Sequence, residues 1–212
     1  MLTHRHRSHA LVPLAILATG VLFAPHHACA QPTPDTTEHA RPSGRSPSAA
    51  GALAHLVPEA TFLQIGKGDS THTFIAGLQW LGERRPRVSE AATARLYLEI
   101  AAGRWQSGRP GERGSWWVSQ ATLAPAVRIE FASSPIYVDA GVGPSWVAPL
   151  YQNGRKGFST KFNFRSHLAV GTRLPGTVEH DLSLRLEHFS NAGIRRPNPG
   201  VNLLGVRYTR QF

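Results

Sequence analysis

Two side chains near the C-terminus have the types and spacing that acyl transfer needs. The segment Asp181-Leu182-Ser183-Leu184-Arg185-Leu186-Glu187-His188-Phe189-Ser190 alternates apolar and polar residues. That period of two is the pattern of a β-strand. Alternate side chains of a strand share a face, so Leu182, Leu184, Leu186, His188 and Ser190 lie together. His188 and Ser190 are i and i+2, about 6.6 Å apart along the strand. An imidazole beside a hydroxyl is a base next to a nucleophile, the minimum for a serine esterase. A bare His-x-Ser is a weak signal, equally a His at a membrane rim and a Ser opening a turn. The three leucines change its weight. They mark the face as lipid-facing, where polar groups are costly and tend to be functional.

The rest of the chain supplies the elements that would position this pair. From residue 58 onward the sequence alternates apolar with small or polar residues, broken by turn-rich pieces such as Gly66-Lys67-Gly68-Asp69-Ser70 and Gly103 to Ser115. The alternation predicts strands over 60–67, 71–81, 92–104, 117–131, 135–147, 160–174, 179–190 and 201–212. Eight is even, and the smallest number for a bacterial outer-membrane barrel. In the last strand Leu204, Val206, Tyr208 and Phe212 share the face suited to lipid, with Arg210 the exception near the end. Leu203, Gly205, Arg207, Thr209 and Gln211 face a polar interior. The fold class expected is an all-β, eight-stranded antiparallel transmembrane barrel. Trp116, Trp117 and Trp146 are candidates for an interfacial aromatic belt. Charged residues are only 17% of the chain, low for a soluble surface.

The N-terminus agrees with export. Met1-Leu2-Thr3-His4-Arg5-His6-Arg7 is basic, Ala10 to Ala24 is apolar, and Ala28-Cys29-Ala30 is an A-x-A cleavage pattern. Residues 1–30 are expected to be a signal peptide, 31–57 a flexible Pro/Ser-rich segment, and 58–212 the barrel. Cys29 is the only cysteine, which excludes disulfide frameworks and thiolate clusters. The formal charge of +10 calls for an anionic partner, and export argues against nucleic acid. Outer-membrane barrels end on the periplasmic side, so Asn191 to Gly200 is expected as an extracellular loop. His188 and Ser190 then face the outer leaflet near its upper edge. In a Gram-negative outer membrane that leaflet is lipopolysaccharide, with ester-linked acyl chains just below phosphorylated sugars.

The run His188-Phe189-Ser190-Asn191-Ala192-Gly193-Ile194, followed by Pro197-Asn198-Pro199-Gly200, closely resembles the lipid A 3-O-deacylase (PagL) family. Phe162-Asn163-Phe164, Gly171 and the terminal Phe212 are similar to it as well. The resemblance spans about residues 58–212, with 188–200 its specific part. It implies an outer-membrane barrel that hydrolyses the ester of the 3-hydroxyacyl chain at position 3 of lipid A, without a metal or other cofactor. It implies His188 as general base and Ser190 as nucleophile. Asn198 and backbone N–H groups around Asn191 to Gly193 are its candidates for the oxyanion site. One position departs: the family's triad Glu, fourteen residues after the His, is here Asn202. Asn202 shares parity with Leu204 and so faces the same side as His188. It is expected to accept from the imidazole and hold its tautomer, as Asn does in Cys-His-Asn enzymes. Glu187 points into the lumen by parity. Arg195 and Arg196 are candidate contacts for lipid A phosphates, or simply a solvated basic loop.

The expected partners are lipopolysaccharide and the outer membrane, with the oligomer a monomer or homodimer. Two other classes compete. A non-enzymatic structural or adhesion barrel would not need His188 or Ser190. Another outer-membrane lipid esterase, such as a phospholipase, would cut a different bond.

Overall fold

Alternation builds the wall of this protein strand by strand. The computed structural model describes residues 57–108, 114–154, 156–176 and 179–212. The expected signal peptide and all but Val57 of the Pro/Ser-rich segment lie outside these residues. In chain order the strands are β1 (Ala60–Gly68), β2 (Thr71–Leu81), β3 (Arg87–Ser89), β4 (Ala92–Gly108), β5 (Ser115–Phe131), β6 (Ile136–Ala148), β7 (Gln152–Asn153), β8 (Lys156–Gly157), β9 (Phe162–Leu174), β10 (His180–Ser190) and β11 (Val201–Gln211). Eight of these are long, and they pair antiparallel in a closed ring, β2-β1-β11-β10-β9-β6-β5-β4 and back to β2. Closure leaves the ring without an unpaired edge. Following direct partners from His72 through Lys67, Leu204, Leu186, Leu168, Ala140, Val127 and Leu96 leads back to Gly82, one residue past the end of β2. The stagger is thus the step from His72 to Gly82 along one strand. Such a stagger goes with strands tilted to the barrel axis.

Most strand bounds fall within two residues of the sequence expectation. The β4–β5 hairpin differs more. Gly103 to Ser115 reads as turn-rich, yet β4 continues to Gly108 and β5 starts at Ser115. Arg104, Gln106 and Gly108 pair with Ser119, Trp117 and Ser115, which carries the ladder through the glycines. The first turn is also tighter than expected. It shrinks to Asp69 and Ser70, both at positive φ (46° and 56°), the backbone of a two-residue hairpin. The termini of the barrel share one end with the β5–β6 and β9–β10 turns. The β10–β11 loop lies at the other end with the β1–β2, β4–β5 and β6–β9 connections.

The outward face carries an apolar belt that includes Leu63, Ile65, Leu98, Leu168, Leu184 and Val206, all exposed. An exposed patch this continuous marks a membrane-facing wall. Trp117 and Trp146 sit on it, also exposed. Trp116 does not: it packs against the core inside the barrel and its indole N–H donates to the Gln152 carbonyl oxygen (3.1 Å). Neighbouring residues of a strand cannot share a face, so the two tryptophans of the pair divide between wall and lumen.

Inward positions hold two layers. Midway, Glu99 accepts from Arg165 (2.5 Å) and from Arg207, while Gln64 bridges Arg207 to Glu187 (both 2.9 Å). Arg128 reaches Asp139 (2.9 Å) and Asp181 (2.8 Å). Toward the β10–β11 loop the lumen turns apolar. Trp105, Val118, Tyr151, Phe158, Phe189 and Leu203 form a plug. The Phe189 ring meets Trp105 edge-on at 4.7 Å between centroids.

Candidate active site

Phe189 fixes the backbone on which the candidate pair sits. Its ring is buried in the plug, so its two neighbours, His188 and Ser190, must point to the outer wall. His188 is exposed and Ser190 half-buried, at the loop end of β10. In the ladder His188 stands between Asn202 of β11 and Ser166 of β9, and Ser190 stands opposite Phe164. In the sequence Ser166 interrupts the apolar face of Phe162, Phe164, Leu168 and Val170. Phe164 and Phe162 meet edge-to-face at 5.2 Å beside Ser190.

His188 and Asn202 are joined through Nδ1 and Oδ1 at 2.7 Å. An amide oxygen can only accept, so Nδ1 carries the proton and donates. That leaves Nε2 as the basic nitrogen, and it has no partner among the described residues. Glu187, the nearest carboxylate in sequence, is buried in the lumen and held by Gln64 and Arg165. It does not serve the imidazole.

Gly200, which sequence reasoning missed, shapes the site from the loop side. Its φ is +64°, and a Cβ placed there would lie 2.7 Å from His188 Cε1 and 3.3 Å from Nε2. Only glycine lets the ring take this position. The one available signal was its place closing Pro197-Asn198-Pro199-Gly200. Gly200→Ala is expected to displace the imidazole and cut turnover by about a hundredfold, as small misplacements of catalytic groups do. Initial rates on a folded barrel would check this, and an unchanged rate would remove the ring–glycine contact from the account.

The loop of 191–200 is tied by its own asparagines. Asn191 N–H donates to Asn198 Oδ1 (3.0 Å), and Gly193 N–H donates to Asn191 Oδ1 (2.9 Å). Asn191 Nδ2 donates to Ser159 Oγ (3.0 Å) and to the Arg195 carbonyl (2.8 Å). The amides of Asn191 and Gly193 are therefore already engaged in holding the loop. Among the described residues, the Asn198 Nδ2 group and the Ala192 N–H remain without partners. The side chains of Arg195 and Arg196 are exposed, and no described residue pairs with them. No three His, Cys, Asp or Glu side chains gather as a metal site among the described residues.

A family model described as lipid A 3-O-deacylase (PagL) matches residues 72–211, which holds nearly the whole barrel and all of these groups. The chain belongs to the lipid A 3-O-deacylase family. It is 34% identical to the lipid A deacylase PagL of Bordetella bronchiseptica over 117 residues, 55% of this chain. That match spans 62% of the Bordetella protein's length. It is 26% identical to the lipid A deacylase PagL of Pseudomonas aeruginosa over 145 residues, 66% of this chain and 79% of that protein. A crystal structure of the outer membrane enzyme PagL superposes with a TM-score of 0.63 at 22% identity, covering 72% of this chain and 99% of the other. The barrel is thus the fold of the PagL family.

Proposed function

We propose that this chain is a serine esterase of the outer membrane that hydrolyses the 3-O-linked 3-hydroxyacyl chain of lipid A from within the outer leaflet. One observation carries the reading. The imidazole of His188 is oriented by Asn202 on the lipid-facing wall, two residues from Ser190 and at the loop end of the barrel. A site on that wall meets its substrate without extracting it from the membrane. Ser190 Oγ attacks the ester carbonyl while His188 Nε2 takes its proton. The oxyanion is received by Asn198 Nδ2 and the Ala192 N–H, the donors left free in the loop. His188 then protonates the departing sugar hydroxyl, and water releases the fatty acid from Ser190 by the same route. Arg195 and Arg196 contact a phosphate of the substrate. Neither metal nor cofactor takes part, and residues 1–30 direct export.

Mass spectrometry of lipid A from cells expressing the protein tests the reaction. Loss of one 3-hydroxyacyl mass is expected. Unchanged lipid A, with the barrel folded in the outer membrane, would overturn the proposal.

Asn202 is tested by its own pair of variants. An amide orients the imidazole but cannot balance imidazolium with a full charge. Asn202→Ala is therefore expected to lower turnover by about 10- to 100-fold, the scale of one hydrogen bond to a group that becomes charged. Asn202→Glu is expected to match or exceed the parent rate. If Asn202→Ala loses nothing, Asn202 is not the orienter.

A further inference from the structure

The outer wall carries cations that the reaction does not use. Lys67 of β1 and His72 of β2 are direct cross-strand partners, both exposed on the lipid-facing side. Neither makes a hydrogen bond or ion pair with any described residue. No outward position of β1, β2, β4, β10 or β11 holds a carboxylate. Asp69 in the adjoining turn is paired with Lys156 (3.0 Å), so at this headgroup level the two cations are left to an anion from outside the protein.

The two also line a groove. Its volume is about 340 Å³, and below Lys67 and His72 its walls are Ile65, Phe74, Leu184 and Leu204. The last two connect it to the active site. Leu204 is the next outward residue after Asn202 on β11, and Lys67 is its partner across the β1 ladder. Leu184 precedes Leu186 and His188 on the outward face of β10. Lys67 is thus two strands from His188, about 10 Å at ordinary strand spacing. A second groove of about 600 Å³ continues the first along Ile65, Phe74 and Val206 and is lined by Arg104. Cations above an apolar trough match a lipid with an anionic head and hydrocarbon tails. They stand on the β1 side of the catalytic pair, whereas Arg195 lies on the β9 side, its carbonyl bonded to Ser159.

We propose that Lys67 and His72 form a phosphate subsite for the phosphorylated acyl sugar, which seats one phosphate of the substrate while an acyl chain lies in the groove beneath. The subsite rests on the deacylase reading and adds to it a second anchoring point, across the catalytic pair from Arg195 and Arg196. Lys67 supplies the fixed charge, and the imidazole N–H of His72 donates to a phosphate oxygen in either of its charge states. Two anchors on opposite flanks fix the sugar's rotation, and so determine which ester reaches Ser190.

Binding, measured without turnover, tests this. Protein carrying Ser190→Ala is titrated in detergent micelles with bisphosphorylated lipid A and with the same lipid enzymatically dephosphorylated. Adding Lys67→Gln and His72→Gln is expected to weaken binding of the phosphorylated lipid by about tenfold, the scale of a lost charge-assisted contact. Binding of the dephosphorylated lipid should change far less, and Lys67→Arg with His72→Lys should restore the preference. Equal weakening on both lipids, or none on either, would overturn the subsite. Because no ester is cut here, failure of the deacylase reading would appear in the lipid A mass spectra instead.

Discussion

Replacing Ser190 by Ala should leave a folded barrel and abolish the loss of the 3-hydroxyacyl chain from lipid A. The expected fall in turnover is about four orders of magnitude or more, the scale seen when a nucleophile is removed from a serine–histidine unit. Ser190 is half-buried on the outer wall, and its backbone is held from behind by the Phe189 ring in the plug, so losing one oxygen should not disturb the wall. The geometry also supplies a control. Ser166 is the direct ladder partner of His188 on β9 and shares its outward face. A hydroxyl there is about as near in the ladder as Ser190 is along the strand. The loop that holds Asn198, the proposed oxyanion donor, follows Ser190 directly, however. Ser166→Ala is therefore expected to keep activity within a few-fold. Release of 3-hydroxy fatty acid from purified lipid A would measure both variants. A Ser190→Ala enzyme that retains activity while Ser166→Ala loses it would reassign the nucleophile.

The largest effect on stability is expected at Glu99. Its carboxylate is fully buried and accepts from Arg165, Arg207 and Gln79 together. Glu99→Ala would leave two buried guanidinium groups without the anion between them. Breaking a buried charge cluster in this way costs about 3–5 kcal/mol. The variant should unfold at clearly lower urea concentration, read from the gel mobility of folded and unfolded barrel in detergent micelles. Glu99→Gln keeps an acceptor oxygen and should fall between variant and parent. An unchanged midpoint would mean that the ladder alone holds the barrel and the lumen charges are incidental.

How far the sequence revealed this molecule depends on the face considered. β10 was legible because leucines alternate with Asp181, Ser183, Arg185 and Glu187, which sorts wall from lumen by parity alone. The same parity puts Asn202 on the face of His188, and the family resemblance supplies the pairing. Parity cannot pair inward residues with one another. Glu99 and Arg207 are 108 positions apart, and only ring closure brings them together. It also failed where small residues blur the pattern. Gly103 and Gly108 looked like turn residues although they belong to a continuous ladder, which puts Trp105 into the plug. Gly200 was unreadable for another reason: its role is to be absent as a side chain, and an absence becomes meaningful only once the imidazole is seen above it. The donors engaged within the 191–200 loop were hidden likewise, since Asn191 and Asn198 could equally have faced the substrate.

The aromatic plug has a consequence for the cell rather than for the reaction. Trp105, Tyr151, Phe158 and Phe189 close the lumen at the β10–β11 loop end, next to a layer of buried ion pairs. Hydrated ions and sugars find no passage through such a cylinder. Embedding many copies would leave the permeability barrier of the envelope intact. On the proposed reading, the water that completes each turnover would then arrive from the medium beyond the loop, and the protein would remodel the leaflet in which it sits without making the membrane leak.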